Sequence, residues 1–155
     1  MSEKSITGLT GEFYVLAQLA HRELVGTLTL SNTKGVDILV MNPETLKVFK
    51  LEVKTSHTNL YGDKLFGRNY CWPMNKKHEA ISNENLFYCF VNLHEDKGKM
   101  PDFYIVPSKD VATHVAETHQ MWLKRSKGKD NPMRRFRIPI DDKKGYKDNW
   151  DVFRK

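Results

Sequence analysis

Leu51-Glu52-Val53-Lys54 lies near the end of residues 47–55, along which apolar and polar side chains alternate. Such alternation is typical of a β-strand with one buried face. One face is predicted to carry Phe49, Leu51 and Val53, and the other Val48, Lys50, Glu52 and Lys54. Glu52 and Lys54 therefore share a face of the strand.

The preceding strand is predicted to bring an aspartate to this face. Residues 36–42 are nearly continuously apolar, as in a strand covered on both faces, and Asn42-Pro43-Glu44-Thr45 has turn chemistry. The two strands then form a hairpin. Counting outward from the turn brings Asp37 to within about one strand spacing, ~5 Å, of the Glu52 and Lys54 region.

Further elements follow from periodicity and turn residues. They are a helix over 7–24, a strand over 27–31, a loop over 56–72, a helix over 74–83, strands over 86–93 and 103–106, and a helix over 108–119 with Ser108 as N-cap. Beyond Trp122 the chain becomes basic and is predicted to be irregular. A helix, a three-stranded β-meander, a helix and a further strand indicate an α/β or α+β fold.

Three acids and one lysine are candidates for chemistry. The acid-x-lysine pattern occurs four times, but only Glu52–Lys54 lies on a strand with an apolar opposite face. Asp37 in an apolar strand is costly unless it is bound to a metal or paired in a salt bridge, for which Lys54 is a candidate partner. Glu12 on the first helix is either a site residue or a first-turn carboxylate favoured by the helix dipole.

These segments resemble the PD-(D/E)xK nuclease superfamily, which includes restriction endonucleases and archaeal Holliday-junction resolvases. The resemblance runs from Gly8 to Thr55, through Gly11-Glu12, Gly35-Val36-Asp37-Ile38 and Leu51-Glu52-Val53-Lys54. The layout is nearest to the small resolvase-like members. Val36 stands where the superfamily's name has proline, and the segment after Lys54 does not match the resolvases.

The resemblance implies a restriction-endonuclease-like α/β core over residues 7–120, in a single domain of residues 1–155 with a basic extension over 121–155. It implies hydrolysis of DNA phosphodiester bonds with Mg²⁺ or Mn²⁺, which favour oxygen ligands. The ligands would be the carboxylates of Asp37 and Glu52 and the carbonyl of Val53. Lys54 would orient the attacking water, and Glu12 would reach a water on the metal or a second ion. A homodimer is expected, since one site cuts one strand.

A basic stretch is the candidate nucleic-acid surface. It contains Lys124, Arg125, Lys127, Lys129, Arg134, Arg135 and Arg137. Together with a formal net charge of +6 it favours a polyanionic partner, DNA first and RNA second. The alternative is a solvated, flexible loop. Phe136, among these arginines, would either stack on a base or belong to the core.

Other function classes are disfavoured. No phosphate-binding glycine loop is present, which argues against a nucleotide hydrolase. His114 and His119 are spaced too far apart for a helical zinc pair, and Cys71 and Cys89 are isolated, as expected for reduced thiols. Trp72, Trp122 and Trp150 are read as packing anchors. With no apolar spanning run or signal core, we expect a cytoplasmic protein without membrane contact.

Two alternatives to the DNA nuclease remain open. One is a non-catalytic nucleic-acid-binding or protein-interaction module on the same fold. The other is an RNA-directed nuclease or toxin effector.

Overall fold

A computed structural model describes residues 3–30, 35–57 and 60–155 of the chain. Two α-helices are α1 (Glu3–His21) and α2 (Ser108–Ser126). The strands are β1 (Val25–Leu28), β2 (Ile38–Met41), β3 (Val48–His57), β4 (Leu60–Asp63), β5 (Gly67–Asn75), β6 (Leu86–Leu93), β7 (Asp102–Pro107) and β8 (Met133–Pro139). Short 3-10 helices span Lys76–Ala80 and Trp150–Arg154.

The central sheet has the strand order β1-β2-β3-β6-β7. Strands β1, β2 and β3 are antiparallel neighbours, which confirms the predicted meander. Strand β6 then pairs in parallel with β3, from Lys50 opposite Leu86 to His57 opposite Leu93. Helices flank this sheet, so the mixed α/β class is confirmed.

A second sheet, of order β4-β5-β8, was missed by the sequence analysis. The loop expected over 56–72 contains β4 and the start of β5, and the helix expected over 74–83 is replaced by the end of β5 and a 3-10 helix. The region beyond Trp122, expected to be irregular, continues α2 and then forms β8, which pairs with β5. Its period of two is easily overlooked because a buried arginine, Arg134, occupies one inward position.

The helix ends and the outer strands also differ from expectation. Helix α1 ends at His21, well before Gly26, because Glu23 adopts a left-handed φ of 61°. Helix α2 extends past 119, and Ser108 is its first residue, with its hydroxyl bonded to backbone atoms of Asn83 instead of capping the helix. Strand β1 lies slightly before the predicted 27–31, whose last residue is outside the described part of the chain.

The central sheet buries a different core on each face. Odd-numbered residues of β6, such as Cys89 and Val91, pack with α1 residues such as Val15. Even-numbered residues, such as Tyr88 and Phe90, pack under the second sheet. Phe136 is one of that second group, stacked on Phe90 at a centroid distance of 4.4 Å, so it belongs to the core.

The other isolated aromatic and sulfur residues divide by burial. Trp72 and Trp150 are 0% and 3% exposed, which confirms them as packing anchors, and Cys71 and Cys89 are buried. The same expectation is wrong for Trp122, which is 37% exposed. In the described residues, no helix combines the length and apolar character needed to span a bilayer.

Candidate active site

Asp37 lies where the β2–β3 pairing ends. Its backbone N–H donates to the carbonyl of Leu51 at 2.9 Å, and its carboxylate Oδ2 accepts a 2.7 Å hydrogen bond from the N–H of Val53. The Asp37 side chain thus hydrogen-bonds to β3 just beyond the last backbone hydrogen bond between β2 and β3. The hairpin count predicts Asp37 close to the Glu52 and Lys54 region, and the structure places it against the Val53 N–H between them.

Glu52 is buried, with 4% of its surface exposed. Its Oε1 lies 2.5 Å from Nζ of Lys54 and 3.6 Å from Nε2 of His78. Burial raises the pKa of Glu52, but the contacts with His78 and Lys54 outweigh burial and lower it to about 2. Glu52 is therefore ionised at neutral pH. Lys54 pairs with Glu52; an Asp37–Lys54 salt bridge, the alternative for Asp37, is not formed among the described residues.

The second oxygen of Glu52 is the unusual feature of the site. Oε2 is buried and has no hydrogen-bond partner among the described residues. The loop at Gly35 passes close by, since a Cβ there would lie 3.7 Å from Oε2. A buried carboxylate oxygen without a donor costs free energy, so this atom indicates a place for a positively charged or hydrogen-bonding ligand.

His78, to which the sequence analysis gave no role, is buried beside Glu52. The N–H of Asn75 points at its Nδ1 at 3.1 Å, and the carboxylate of Glu52 faces its Nε2. With the ring proton on Nε2, Nδ1 can accept from Asn75 and the proton faces Glu52, although Nε2 has no hydrogen-bond partner within normal distance among the described residues. Nδ1 also lies 2.9 Å from the carbonyl oxygen of Asn75. If Nδ1 carried the ring proton and donated it to that oxygen, the Asn75 N–H would point at a second hydrogen instead of at an acceptor.

Tyr88 is a second residue that the sequence analysis missed. It stands opposite Glu52 in the β3–β6 register, and its hydroxyl is buried without a hydrogen-bond partner in the described structure. Burial raises the pKa of Tyr88 most, and the charge of the Glu52 carboxylate and the contact of the phenol with that carboxylate raise it further, so Tyr88 is a candidate donor to Glu52. The phenol therefore stays protonated, with its O–H beside the carboxylate.

Gly11 sets the position of Glu12. A Cβ on Gly11 would lie 1.9 Å from Oγ1 of Thr55 and within 3.0 Å of the Cβ and Cγ2 atoms of the same threonine. Only glycine therefore lets α1 approach β3 this closely. Glu12 follows directly and is half-buried. Because α1 begins at Glu3, Glu12 lies in mid-helix, and the first-turn dipole alternative is wrong.

Asp37 is the acid that links the other two, because its charge acts on Glu12 and the charge of Glu52 acts on it. Burial, and then the charge of Asp37, raise the pKa of Glu12. Burial also raises the pKa of Asp37; the Val53 N–H and Lys54 lower it, and Glu52 raises it further. A bound cation would relieve this repulsion.

The acids are not arranged as a ready-made metal cage. No group of three or more histidine, cysteine, aspartate or glutamate side chains in the described residues is placed to hold a metal ion. One oxygen of Glu52 is engaged by Lys54, and one oxygen of Asp37 accepts from the Val53 N–H. One oxygen of each carboxylate is left for other contacts.

The fold resembles that of a bacterial homing endonuclease. The solved structure of I-Ssp6803I matches with a TM-score of 0.56 and 15% sequence identity, over 99% of this chain and 94% of that one. At this identity the likeness shows the fold alone. No protein-family model matches the chain, and no curated protein sequence matches it.

The predicted basic stretch is divided between the surface and the interior. Lys124, Arg125, Lys127, Lys129 and Arg135 are exposed, and Arg137 is half-buried with its guanidinium 4.1 Å from the ring centre of Phe66. Arg134 is 3% exposed and bonds Glu79, Asp130 and the carbonyls of Asn131 and Met133. Its role is structural, since it has no surface to offer a phosphate.

Three further histidines have local partners. His119 bonds Asp130 at 2.8 Å, and His114 accepts the N–H of Arg137 at 3.1 Å. His57 is exposed and lies 3.4 Å from the hydroxyl of Thr7. None of them lies in the cluster of Glu12, Asp37 and Glu52.

Proposed function

We propose that this protein is an endonuclease that hydrolyses DNA phosphodiester bonds with Mg²⁺ or Mn²⁺. The observation that carries the proposal is the convergence of Glu12, Asp37 and Glu52 beside Lys54, with one buried Glu52 oxygen left without a partner. The fold likeness supports it, because the similar structure is described as a homing endonuclease.

The residues present fit a divalent cation. The unpartnered Oε2 of Glu52 and the carboxylate of Asp37 are the hard oxygen donors that Mg²⁺ prefers. Val53 directs its N–H to Asp37, and both backbone groups of a strand residue face the same neighbouring strand, so its carbonyl faces that side too. Asp37, Glu52 and the Val53 carbonyl would hold the metal, which when bound would polarise the phosphate and acidify a water.

Lys54 supplies a fixed positive charge at the mouth of the site. Its ammonium is tethered to Oε1 of Glu52, while its side chain keeps 29% exposure. It can therefore donate to a water or a phosphate oxygen arriving from solvent without losing its anchor. Placing a donor where negative charge develops is among the larger contributions to hydrolytic catalysis.

Glu12 and His78 act around this centre. Glu12, with a raised pKa, can accept a hydrogen bond from a water between α1 and Asp37. Nε2 of His78 faces Oε1 of Glu52 at 3.6 Å, and Oε2 is the oxygen left without a hydrogen-bond partner among the described residues. Such outer partners of a ligand carboxylate set its direction and basicity.

The deciding experiment is cleavage of supercoiled plasmid, linear duplex, single strand, four-way junction and RNA with Mg²⁺ or Mn²⁺. Lys54→Ala and Asp37→Asn should abolish cleavage of DNA. Lys50→Ala is the matched control, because Lys50 is an exposed lysine on the same strand and the same face.

Three results would contradict the proposal. Preferential cleavage of RNA would favour the RNA-directed nuclease. An equal loss of activity in Lys50→Ala would show that cleavage depends on the positive charge along the strand and not on the proposed active site. No cleavage of any substrate, with no stabilisation by metal, would favour a non-catalytic binding module.

A further inference from the structure

A second candidate site lies between α2 and the second sheet. A cavity of about 700 Å³ opens between the C-terminal half of α2, strand β8 and the turn that follows β4. Its walls include three aromatic or apolar residues, Phe66, Trp122 and Met133, and three arginines, Arg125, Arg135 and Arg137. The volume lies within the range of roughly 300–1,000 Å³ typical of ligand sites.

Strand β8 explains the charge of this cavity. Its side chains alternate, so Phe136 and Ile138 face the core while Met133 and Arg135 are exposed. Arg134, on the inner face, is held by Glu79 and Asp130 and is also among the residues that line the cavity. Arg135 on the strand and Arg125 on α2 are exposed, which leaves their guanidinium groups accessible to an anion.

Trp122 supplies a backed aromatic surface in the same cavity. One face of its ring stacks on His119, at a centroid distance of 5.5 Å and an interplanar angle of 25°. His119 is itself fixed by a 2.8 Å contact with Asp130. With one face packed on His119 and 37% of the residue exposed, the Trp122 ring offers a surface on which another flat group can stack.

We propose that this cavity binds an unpaired nucleotide of the DNA substrate. The base stacks near Trp122, and the flanking phosphates contact Arg125 and Arg135. The proposal takes DNA as the substrate from the proposed function, but it needs neither metal nor cleavage.

The mixture of groups selects this ligand class. A free phosphate would not cover the apolar surfaces of Trp122 and Met133, and an apolar ligand would not neutralise the charges of the arginines. Paired bases in a duplex already stack on both faces, whereas an unpaired base offers a π-face to a protein ring.

The test is binding in EDTA, where no metal-dependent cleavage can occur. The probes are oligothymidine of about ten nucleotides, a blunt duplex of the same length, and oligouridine. Tryptophan fluorescence reports on the cavity directly, because Trp122 is exposed while Trp72 and Trp150 are 0% and 3% exposed. We expect oligothymidine to quench this fluorescence and to bind more tightly than the duplex.

Substitutions then locate the site. Trp122→Ala should weaken oligothymidine binding by about tenfold and remove the quenching, and Trp122→Phe should restore most of the affinity. Arg135→Ala should weaken binding and reduce the slope of log affinity against log salt by about 0.7. Lys143→Ala, which removes an exposed charge outside this cavity, should leave the preference for single strand over duplex unchanged.

The outcomes separate this proposal from the nuclease proposal. Equal binding of duplex and single strand, tighter binding of oligouridine, or unchanged binding in a folded Trp122→Ala variant would each overturn the cavity proposal. Metal-free binding of oligothymidine that depends on Trp122 would support it even if the protein cleaves nothing.

Discussion

Nε2 of His78 faces Oε1 of Glu52 at 3.6 Å, and both side chains are almost fully buried. The contact joins the 3-10 helix after β5 to the middle of β3. His78 also caps that helix through Asn75, so one imidazole serves two neighbours. Its role in holding the carboxylate can be separated from its role in the cap.

His78→Ala should lower metal affinity or cleavage rate by roughly 10- to 100-fold, the usual effect of losing an outer partner of a metal ligand. His78→Gln should retain more, because its amide can still donate to Glu52. Asn75→Ala should cost about 1 kcal/mol of stability through the cap and leave the rate nearly intact. Metal titration and single-turnover kinetics on all three would measure this. Equal losses in Asn75→Ala and His78→Ala would assign His78 to the cap alone.

Gly11→Ala should destabilise the protein by about 1–3 kcal/mol, although alanine favours helices. The added Cβ would meet three atoms of Thr55, so rotating its side chain cannot relieve the clash and α1 must move. Gly8→Ala, on the same helix with nothing within 4 Å, should stabilise by about 0.5–1 kcal/mol. Urea denaturation of both variants tests the contrast, and similar stabilities would show that α1 does not rest on Thr55.

Asp37→Asn should raise the melting temperature at neutral pH by a few degrees while abolishing activity. The pKa of Asp37 is raised mainly by burial, so its charged form opposes folding, and asparagine can still accept from the Val53 N–H. As pH falls through that raised pKa, the wild type gains protons and the difference should vanish. Calorimetry across pH would check this. A lower melting temperature for the variant at neutral pH would mean that Asp37 is a stabilising ion-pair partner.

Glu52 should show the opposite sign. Its pKa is lowered from its ordinary value of 4.5 to about 2, so its contribution to stability is complete above pH 4.5 and is lost as pH falls toward 2. Glu52→Gln should therefore lower the free energy of unfolding at pH 7 by about 1–3 kcal/mol, with a smaller loss in acid. Chemical denaturation at several pH values measures it, and a pH-independent difference would contradict the electrostatic cause.

Arg134 and Arg135, adjacent in sequence, should behave differently. Arg134→Ala removes a buried cation with several partners and should cost about 3–5 kcal/mol. Arg135→Ala should change stability by less than about 0.5 kcal/mol, as is usual for an exposed side chain. Thermal unfolding distinguishes them, and equal effects on stability would contradict the assignment of Arg134 to the interior.

The parts of the site that could be predicted are local in sequence. Alternation fixed the faces of β3, and a short hairpin placed Asp37 against Glu52 and Val53 without long-range information. To place Glu12 near Asp37 it is enough to assume that the first helix packs on this hairpin. Gly11 favours that packing, because a residue without a side chain allows a close approach. Contacts within one supersecondary unit are the ones that periodicity and turn residues determine.

The parts that could not be predicted depend on pairing between distant segments. Tyr88 comes opposite Glu52 only because β6 is parallel to β3, and His78 reaches the site from a 3-10 helix that has no periodic signature. Pro73 made β5 hard to predict, because proline is unusual inside a strand. The arginines of β8 had the same effect, since one of them is buried against acidic partners that the sequence alone does not identify.

The pairing of β5 with β8 has a consequence for the order in which the chain is made. On the ribosome β5 is synthesised well before β8, with β6, β7 and α2 in between. During that interval the edge of β5 lacks its hydrogen-bonding partner, and the cluster that contains Trp72 and Met74 lacks Phe136 and Ile138 of β8. Nascent chains with such an open edge are prone to aggregate. Chaperone capacity and slow expression at low temperature should therefore improve the soluble yield more than any change at the acidic site.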